Sequence, residues 1–470
     1  MTSNAIHFGT SGWRGIIADD FTFEGVRRAA AAIADHCKTR NKSPALLVGH
    51  DTRCFSDDFA RAAAQVLRSR GCSVFVCGAP APTPAIGYEV VRRKLDGALN
   101  ITASHNPAEY NGLKFSGPNG GPALPEITKD IEARAAKYSP DEFEEPDDAR
   151  AGPFEPLDIR EPYLARLEEL VRFDTLDSVK GAFVTDAVHG CGAGWLDRVL
   201  TDHGIPVTAI RTNRDVLFDG HGPDPSDEML QPLRNAVREK KALAGLATDG
   251  DADRYGILDR DGAFISPNHI LALLFDYLIE SRGWKLGASR SVATTHLVDA
   301  VAAKRGVPVY ETPVGFKYVG EFLSQDRIAI GGEESAGLTI RGHVPEKDGI
   351  LACLLVAEMI AARGASLHEQ RADLFRSVGR EYWPIRENVH VEKDVQRRLK
   401  DILKAEPKEM AGRRVTKVDR TDGLKLILDG GDWVLMRPSG TEPLVRIYSE
   451  STSEKTAHYL AAEAQKWITR

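Results

Sequence analysis

One unit recurs three times along this chain and limits the fold more than any other feature. The first copy runs Ala45-Leu-Leu-Val-Gly49, a helical stretch Phe59–Ser69, then Arg70-Gly-Cys-Ser-Val-Phe-Val76. The second runs Ala182-Phe-Val-Thr185, a helix around Ala193–Asp202, then His203-Gly-Ile-Pro-Val207. The third runs Ser291-Val-Ala-Thr294, a helix around Leu297–Lys304, then Arg305-Gly-Val-Pro-Val309. Each is a strand, an apolar-spaced helix, a glycine where the helix must stop, and a second β-branched strand. Strands alternating with helices predict mixed, largely parallel sheets covered by helices.

Each copy continues through another helical stretch into a short apolar strand, and the unusual residues stand where that strand ends. The three exits are Gly97-Ala-Leu-Asn-Ile-Thr-Ala-Ser-His-Asn-Pro107, Leu243-Ala-Gly-Leu-Ala-Thr-Asp-Gly-Asp-Ala-Asp-Arg254 and Ile328-Ala-Ile-Gly-Gly-Glu-Glu-Ser335. Ligands of open α/β sheets gather at the carboxyl ends of strands, so three such ends would build one composite cleft. The repeat stops near Ser377, and the remainder predicts a smaller α+β domain. At 470 residues the chain has room for three to four domains. The expected divisions are 1–150, 151–258, 259–376 and 377–470, with the acidic run Ser139–Pro156 as a linker.

Composition narrows the function classes. An apolar share of 42% and a charged share of 27% are those of a soluble globular protein. The net charge is −7 with the signs interspersed, and no basic tract is long enough to track a nucleic-acid backbone. Binding an anionic metabolite therefore requires positive charge placed locally, in single Arg and Lys residues. The six cysteines show no C-x-x-C pair and read as small buried hydrophobes in a reducing compartment. The start shows no secretory signal, and the apolar run Ile350–Ala362, interrupted by Glu358, fits a core helix rather than a membrane span. The expected location is cytoplasmic.

Four motifs carry chemistry. Ser104 lies in Thr-Ala-Ser-His-Asn-Pro, followed by Asn111-Gly-Leu-Lys114. An isolated motif of this kind reads as a capping turn, and a serine hydrolase would want Gly-x-Ser-x-Gly. Lys114 supplies charge and proton transfer if the turn folds back. Asp249, Asp251 and Asp253 alternate, which in extended backbone puts three carboxylates on one side. Their repulsion calls for a cation, and oxygen ligands without His or Cys favour Mg²⁺. A calcium loop fails, since Arg254 and Arg260 stand where glycine and a bidentate glutamate are needed; a solvated acidic turn is the bland alternative. Glu333 and Ser335, after Gly331-Gly332, would project to one side and offer polar groups to sugar hydroxyls, although adjacent glutamates taken alone are usually solvated. Asp348 reads as a helix N-cap. Arg437-Pro-Ser-Gly-Thr441, with Arg446 nearby, combines a guanidinium fork, hydroxyls and a close-approach glycine, which is phosphate-cradle chemistry; taken alone it reads equally as a Pro-Gly turn beside a surface arginine. It is not a Walker loop.

In this order, and with Gly9-Thr-Ser-Gly-Trp-Arg-Gly15 at the start, the motifs resemble the α-D-phosphohexomutase family over essentially the whole chain. The resemblance implies three repeated α/β domains and a smaller C-terminal α+β domain around a central cleft. It implies that Ser104 carries a phosphoryl group and that Asp249, Asp251 and Asp253 hold Mg²⁺, which also touches the phosphoserine. Arg14 and Lys114 would flank the phosphate, with Lys114 as general acid/base and His105 assisting. Arg254, Lys317, Glu333 and Ser335 would bind the sugar phosphate, while Arg437, Ser439, Gly440, Thr441 and Arg446 hold the phosphate not being transferred. A sugar phosphate is the expected partner and hexose 1,6-bisphosphate the expected activator. Glu333-Glu-Ser is similar to the phosphoglucomutase sugar loop, with Gly337 where glucose/mannose dual enzymes carry His; the short chain keeps mannose phosphate open, with glucosamine phosphate a further alternative. A non-catalytic sensor would lose the serine or the aspartates first, and both are intact.

Overall fold

The computed structural model describes residues 5–139, 142, 153–438 and 444–469. They form four sheets. The first contains β1 (Trp13–Ile16), β2 (Ala45–His50), β3 (Ser73–Cys77), β4 (Gly97–Ile101), β5 (Tyr110–Ser116) and β6 (Pro156–Leu157), in the order β1-β5-β4-β2-β3-β6. The second contains β7 (Phe183–Asp186), β8 (Val207–Ile210), β9 (Ala244–Thr248), β10 (Tyr255–Asp259) and β11 (Phe264–Ile265), in the order β11-β10-β9-β7-β8. The third contains β12 (Gly287–Ser291), β13 (Val309–Thr312), β14 (Ile328–Glu333) and β15 (Gly337–Ile340), in the order β13-β12-β14-β15.

These three sheets share one plan. Three strands run parallel and a fourth folds back antiparallel, as β3-β2-β4-β5, β8-β7-β9-β10 and β13-β12-β14-β15. Parallel neighbours need crossovers, which the helices Ser56–Ser69 and Thr83–Arg93 supply in the first unit. The three repeated α/β units are present, and every exit strand leads into a hairpin turn.

The third copy corrects its sequence reading. Its first strand is β12, ahead of the expected Ser291-Val-Ala-Thr294. Gly-Ala-Ser-Arg-Ser has no β-branched residue to mark it. Arg290 is buried there because Asp299 and Glu311 take its guanidinium at 2.6 and 2.5 Å. In the second and third copies the outer strand starts only after Pro206 and Pro308, which have no N–H to donate to a ladder.

One apolar core runs through the first three units, joining Leu47 and Ile86 to Phe183 and Leu246 and to Ile270, Ile330 and Leu354. The fourth sheet, β16 (Trp383–His390), β17 (Glu409–Met410), β18 (Arg413–Asp419), β19 (Leu424–Leu428), β20 (Trp433–Pro438) and β21 (Leu444–Ser451), is antiparallel throughout. It has its own core under the helix Glu454–Thr469, and Trp433, Leu435 and Tyr448 pack it against Val292 and Ala293. The apolar run Ile350–Ala362 falls in the helix Gly349–Arg363, capped by Asp348, whose carboxylate accepts the Leu351 N–H at 2.8 Å. Glu358 is satisfied inside by the Tyr277 hydroxyl and the Arg282 guanidinium. Among the described residues no single helix is long and apolar enough to cross a membrane. Five cysteines are buried, and Cys54 departs from expectation by being partly exposed.

Candidate active site

The three hairpin turns carry Ser104 and His105, Asp249, Asp251, Asp253 and Arg254, and Ser335, and they meet. In the first, the chain leaves β4 and turns through Ser104 before β5. Ser104 has φ +53°, a left-handed conformation that costs a non-glycine residue roughly 1–2 kcal/mol. Arg53 holds it there. Fully buried, its guanidinium donates to the carbonyls of Ser104 (2.7 Å), Asn106 (2.5 Å), Pro107 (2.7 Å) and Tyr110 (3.0 Å). Ser104 Oγ then donates to Asp249 Oδ2, in the second turn, at 2.6 Å.

The second turn buries Asp249, Asp251 and Asp253 completely and brings a carboxylate oxygen of each within 4.8 Å of the others. Extended alternation does not do this, contrary to expectation. Strand pairing stops at Thr248 and resumes at Tyr255, and the turn between, with Ala252 at φ +56°, curls the carboxylates together. The Ser104 turn does fold back: Lys114 Nζ, on β5, donates to Asp251 Oδ2 at 2.5 Å and Asp253 Oδ2 at 2.6 Å. Lys347 Nζ reaches Asp253 Oδ2 at 2.8 Å. Burial pulls the Lys114 pKa down, but Asp251 and Asp253 outweigh it and raise the value. Burial, then Asp251 and Asp253, push Asp249 well up, whereas Lys114 and Lys347 overcome burial at Asp253 and hold it low. Asp251 Oδ1 and Asp253 Oδ1 are buried with no hydrogen-bond partner among the described residues. Crowded oxygen donors with two unused atoms fit a hard divalent cation.

Cationic and imidazole groups line the same corner. Arg14, on β1, donates from Nη1 to Asn106 Oδ1 at 2.5 Å, and burial followed by repulsion from Arg254 lowers its pKa to about 10. The Arg254 N–H donates to Asp249 Oδ1 at 3.0 Å, and its Nε lies 3.9 Å from Asp253 Oδ1. His105 Nδ1 lies 3.5 Å from Ser104 Oγ, and burial, Arg254 and Arg14 hold this imidazole well below its usual value.

The third turn abuts the second through the Tyr255 N–H, which donates to Ala336 O at 3.3 Å. Glu333 ends β14, accepts the Gly315 N–H at 2.8 Å, and is pushed up to about 7 by burial and Glu334. The alternation expected to set Ser335 beside it stops there, because residues 334–336 form the turn. Glu334 instead accepts from Ser291 Oγ at 2.9 Å. Lys317 sits in the first turn of the helix Phe316–Ser324, its Nζ 5.5 Å from the Tyr318 ring centre. In the fourth unit Arg437 and Arg446 are cross-strand partners on β20 and β21. Arg437 Nε donates to Asp422 Oδ2 at 2.8 Å, and that oxygen also accepts the Val314 N–H at 3.1 Å. Ser439, Gly440 and Thr441 lie outside the described residues.

Known proteins match this chain along nearly all of its length. Four family models match in order: phosphoglucomutase/phosphomannomutase alpha/beta/alpha domain I over residues 5–142, domain II over 161–262, domain III over 266–378 and the C-terminal domain over 388–466. The chain belongs to the phosphoglucomutase/phosphomannomutase family. A phosphoglucomutase/phosphomannomutase of Thermococcus kodakarensis is 33% identical over 96% of this chain and 95% of its own. A Methanopyrus kandleri protein named probable phosphoglucosamine mutase is 31% identical over 97% and 96%. The crystal structure of a phosphomannomutase candidate from Thermus thermophilus superposes with a TM-score of 0.86, 36% identity and full coverage of both chains. As a phosphohexomutase, the protein is an isomerase that transfers phosphate.

Three residues that touch the expected ones escape sequence reasoning. Arg53 follows a strand end in Asp51-Thr-Arg, which reads as a surface turn. Lys347 precedes a helix cap, and Asp422 lies in the loop before β19. The only signal for Arg53 and Lys347 is position: each stands beside a strand or helix end that faces the three turns.

Proposed function

We propose that this enzyme is a Mg²⁺-dependent phosphoglucomutase that interconverts α-D-glucose 1-phosphate and glucose 6-phosphate with Ser104 as phosphoryl carrier. One observation carries the reading: a buried serine hydroxyl, fixed in a left-handed turn, donates to one of three buried carboxylates at 2.6 Å. The oxygen-only triad of Asp249, Asp251 and Asp253 would hold the metal, with Ser104 completing it. Bound there, Mg²⁺ would neutralise the carboxylates and draw charge from the transferring phosphoryl oxygens.

The residues of the chain supply the rest. In the forward half-reaction the free sugar hydroxyl bonds to the phosphorus of phospho-Ser104 as the P–Oγ bond breaks, giving hexose 1,6-bisphosphate. The intermediate turns by about half a revolution, since the same serine must then face the opposite phosphate. Ser104 Oγ takes that phosphate back as the second sugar P–O bond breaks. The proton lost by each attacking hydroxyl is the one the departing oxygen needs, and Lys114, assisted by His105, would carry it. Arg14 and Arg254 bring positive charge to the phosphate; Glu333, Ser335 and Lys317 contact the sugar; Arg437 and Arg446, with Ser439, Gly440 and Thr441, grip the phosphate at rest. Positioning and charge are most of what phosphoryl transfer requires. The residues divide the chain by role: 1–150 carries the phosphoserine, 151–258 the metal, 259–376 the sugar loop and 377–470 the phosphate anchor.

Glucose is preferred on the Glu333-Glu-Ser loop. Relatives named for glucose, mannose and glucosamine phosphates make the alternatives a dual or mannose enzyme and a glucosamine one. A coupled assay on the three sugar 1-phosphates, with hexose 1,6-bisphosphate as activator, decides it. Faster turnover of mannose or glucosamine 1-phosphate than of glucose 1-phosphate would overturn the glucose assignment, and no turnover of any would overturn the reaction.

A further inference from the structure

His189 is a buried imidazole that the mutase reaction does not use. It is 6% exposed, and its Nδ1 lies 3.0 Å from the Asn213 carbonyl oxygen. A carbonyl only accepts, so Nδ1 carries a proton and the other ring nitrogen, Nε2, is the free end. That end faces carboxylates. Nε2 is 3.1 Å from Asp219 Oδ2, and His189, Asp215 and Asp219 each bring a ligand atom within 4.8 Å of the others. The approach lacks hydrogen-bond alignment, and among the described residues Nε2 has no hydrogen-bond partner.

We propose that His189, Asp215 and Asp219 form a second divalent-metal site, separate from the aspartate triad, for a transition ion of the Zn²⁺ or Mn²⁺ kind. Two ligands with bonds of about 2.1 Å stand about 3.0 Å apart at a right angle and about 3.4 Å apart in a tetrahedron. The 3.1 Å between Nε2 and Oδ2 falls between these. One imidazole with two carboxylates suits a borderline ion, whereas Mg²⁺ prefers oxygen alone. The Nδ1–H to a backbone carbonyl is the outer contact that fixes the tautomer of a metal-bound histidine. Asp219 is half exposed, which leaves an entry path and room for water ligands. Arg211 approaches Asp219 Oδ2 at 3.9 Å, but its Nε and Nη2 are engaged by Asp186 at 2.9 and 2.5 Å.

The site's place in the fold gives it a purpose. Thr52 Oγ1 donates to His189 O at 2.9 Å, and Arg214 donates to the carbonyls of Thr52 and Arg53 at 3.0 Å each. The Phe218 ring lies 5.2 Å from the Arg53 guanidinium. A metal joining His189 to Asp215 and Asp219 therefore fastens a second-unit loop over the segment whose Arg53 holds the Ser104 turn.

The test uses the full chain, stripped with a chelator and returned to excess Mg²⁺, then titrated calorimetrically with Zn²⁺. One further equivalent should bind and raise Tm. Asp219→Asn, at the surface, should lose both the equivalent and the rise while keeping Mg²⁺-dependent turnover. Asp251→Asn, which cripples the triad, should keep the equivalent. No further equivalent, one retained by Asp219→Asn, or one lost in Asp251→Asn overturns the site.

Discussion

Around Ser104 one buried guanidinium grips four carbonyls of a single turn, the Lys114 ammonium bridges two buried carboxylates and that of Lys347 reaches one of them, whereas Arg437 pairs with Asp422 on an antiparallel sheet with its own core. The first corner is braced by three units of the chain at once. At the second, the ion pair of Arg437 among the described residues is with Asp422, whose carboxylate also touches the segment leading to Lys317. The difference fits the roles proposed for the two ends. Reacting atoms need placement that an error of an ångström ruins. A resting phosphate must be held firmly enough to orient the sugar and loosely enough to be exchanged for its opposite number.

If that contrast is right, damage at the braced corner lowers kcat and damage at the other raises KM. The largest effect belongs to Ser104→Ala. Loss of a nucleophile should cut turnover at least about a thousandfold, with sugar-phosphate binding retained. Intact-mass measurement should show one phosphate on wild type and none on the variant. Turnover above a few per cent of wild type would end the phosphoserine assignment.

Asp251→Asn comes next, with turnover expected to fall roughly tenfold to a hundredfold and more Mg²⁺ needed for half-maximal rate. Crowding of like charge alone would make the metal-free variant more stable. The structure changes that expectation: Asp251 accepts from Lys114 Nζ and Thr83 Oγ1, both at 2.5 Å. Weakening these buried contacts should cost about 1–3 kcal/mol in a urea melt without metal. An unchanged Mg²⁺ requirement would remove the triad from the metal site.

Legibility followed the same division. The exits Gly97–Ile101, Ala244–Thr248 and Ile328–Glu333 stand out because short, mostly apolar runs end abruptly in polar turns. The strand Gly287–Ser291 does not, since its stability comes from Arg290 pairing with residues that only the fold brings near. Candidate ligands are visible as residue types. Their supports are not: Arg53 and Ser104 are 51 residues apart, and Lys347 and Asp253 are 94 apart. The triad is legible as a cluster, but alternation and a tight turn bring the same three carboxylates together, and here the turn does so.

Arg437→Ala tests the corner in the C-terminal unit. Its contact should be made in ground and transition states alike, so its loss acts mainly on KM. A charged hydrogen bond is worth about 1.5–3 kcal/mol, which sets the expected rise at roughly tenfold to a hundredfold. Hexose 1,6-bisphosphate should also escape more often, raising the need for added activator while Ser104 stays phosphorylated. Lys would be a poor replacement, because the fork is lost while the charge stays. A variant with normal KM and low kcat would place the C-terminal unit in the chemistry and erase the contrast.

The smallest effect is a pH dependence at Glu333, between the two corners. Burial and Glu334 push its carboxyl up to about 7 from the ordinary 4.5. Between these values the folded protein binds the proton more tightly than the unfolded chain, so this group's stabilising contribution is full below about 4.5 and lost as pH rises through 7. The shift is worth at most about 3 kcal/mol. Binding should run the other way. If Glu333 accepts from sugar hydroxyls as a carboxylate, KM should fall severalfold between pH 6 and pH 8 as the acceptor forms. Glu333→Gln should flatten both trends, with KM fixed near the low-pH value. Parallel KM profiles for variant and wild type would show that Glu333 only supports Gly315, and that the sugar is read by other residues of the third unit.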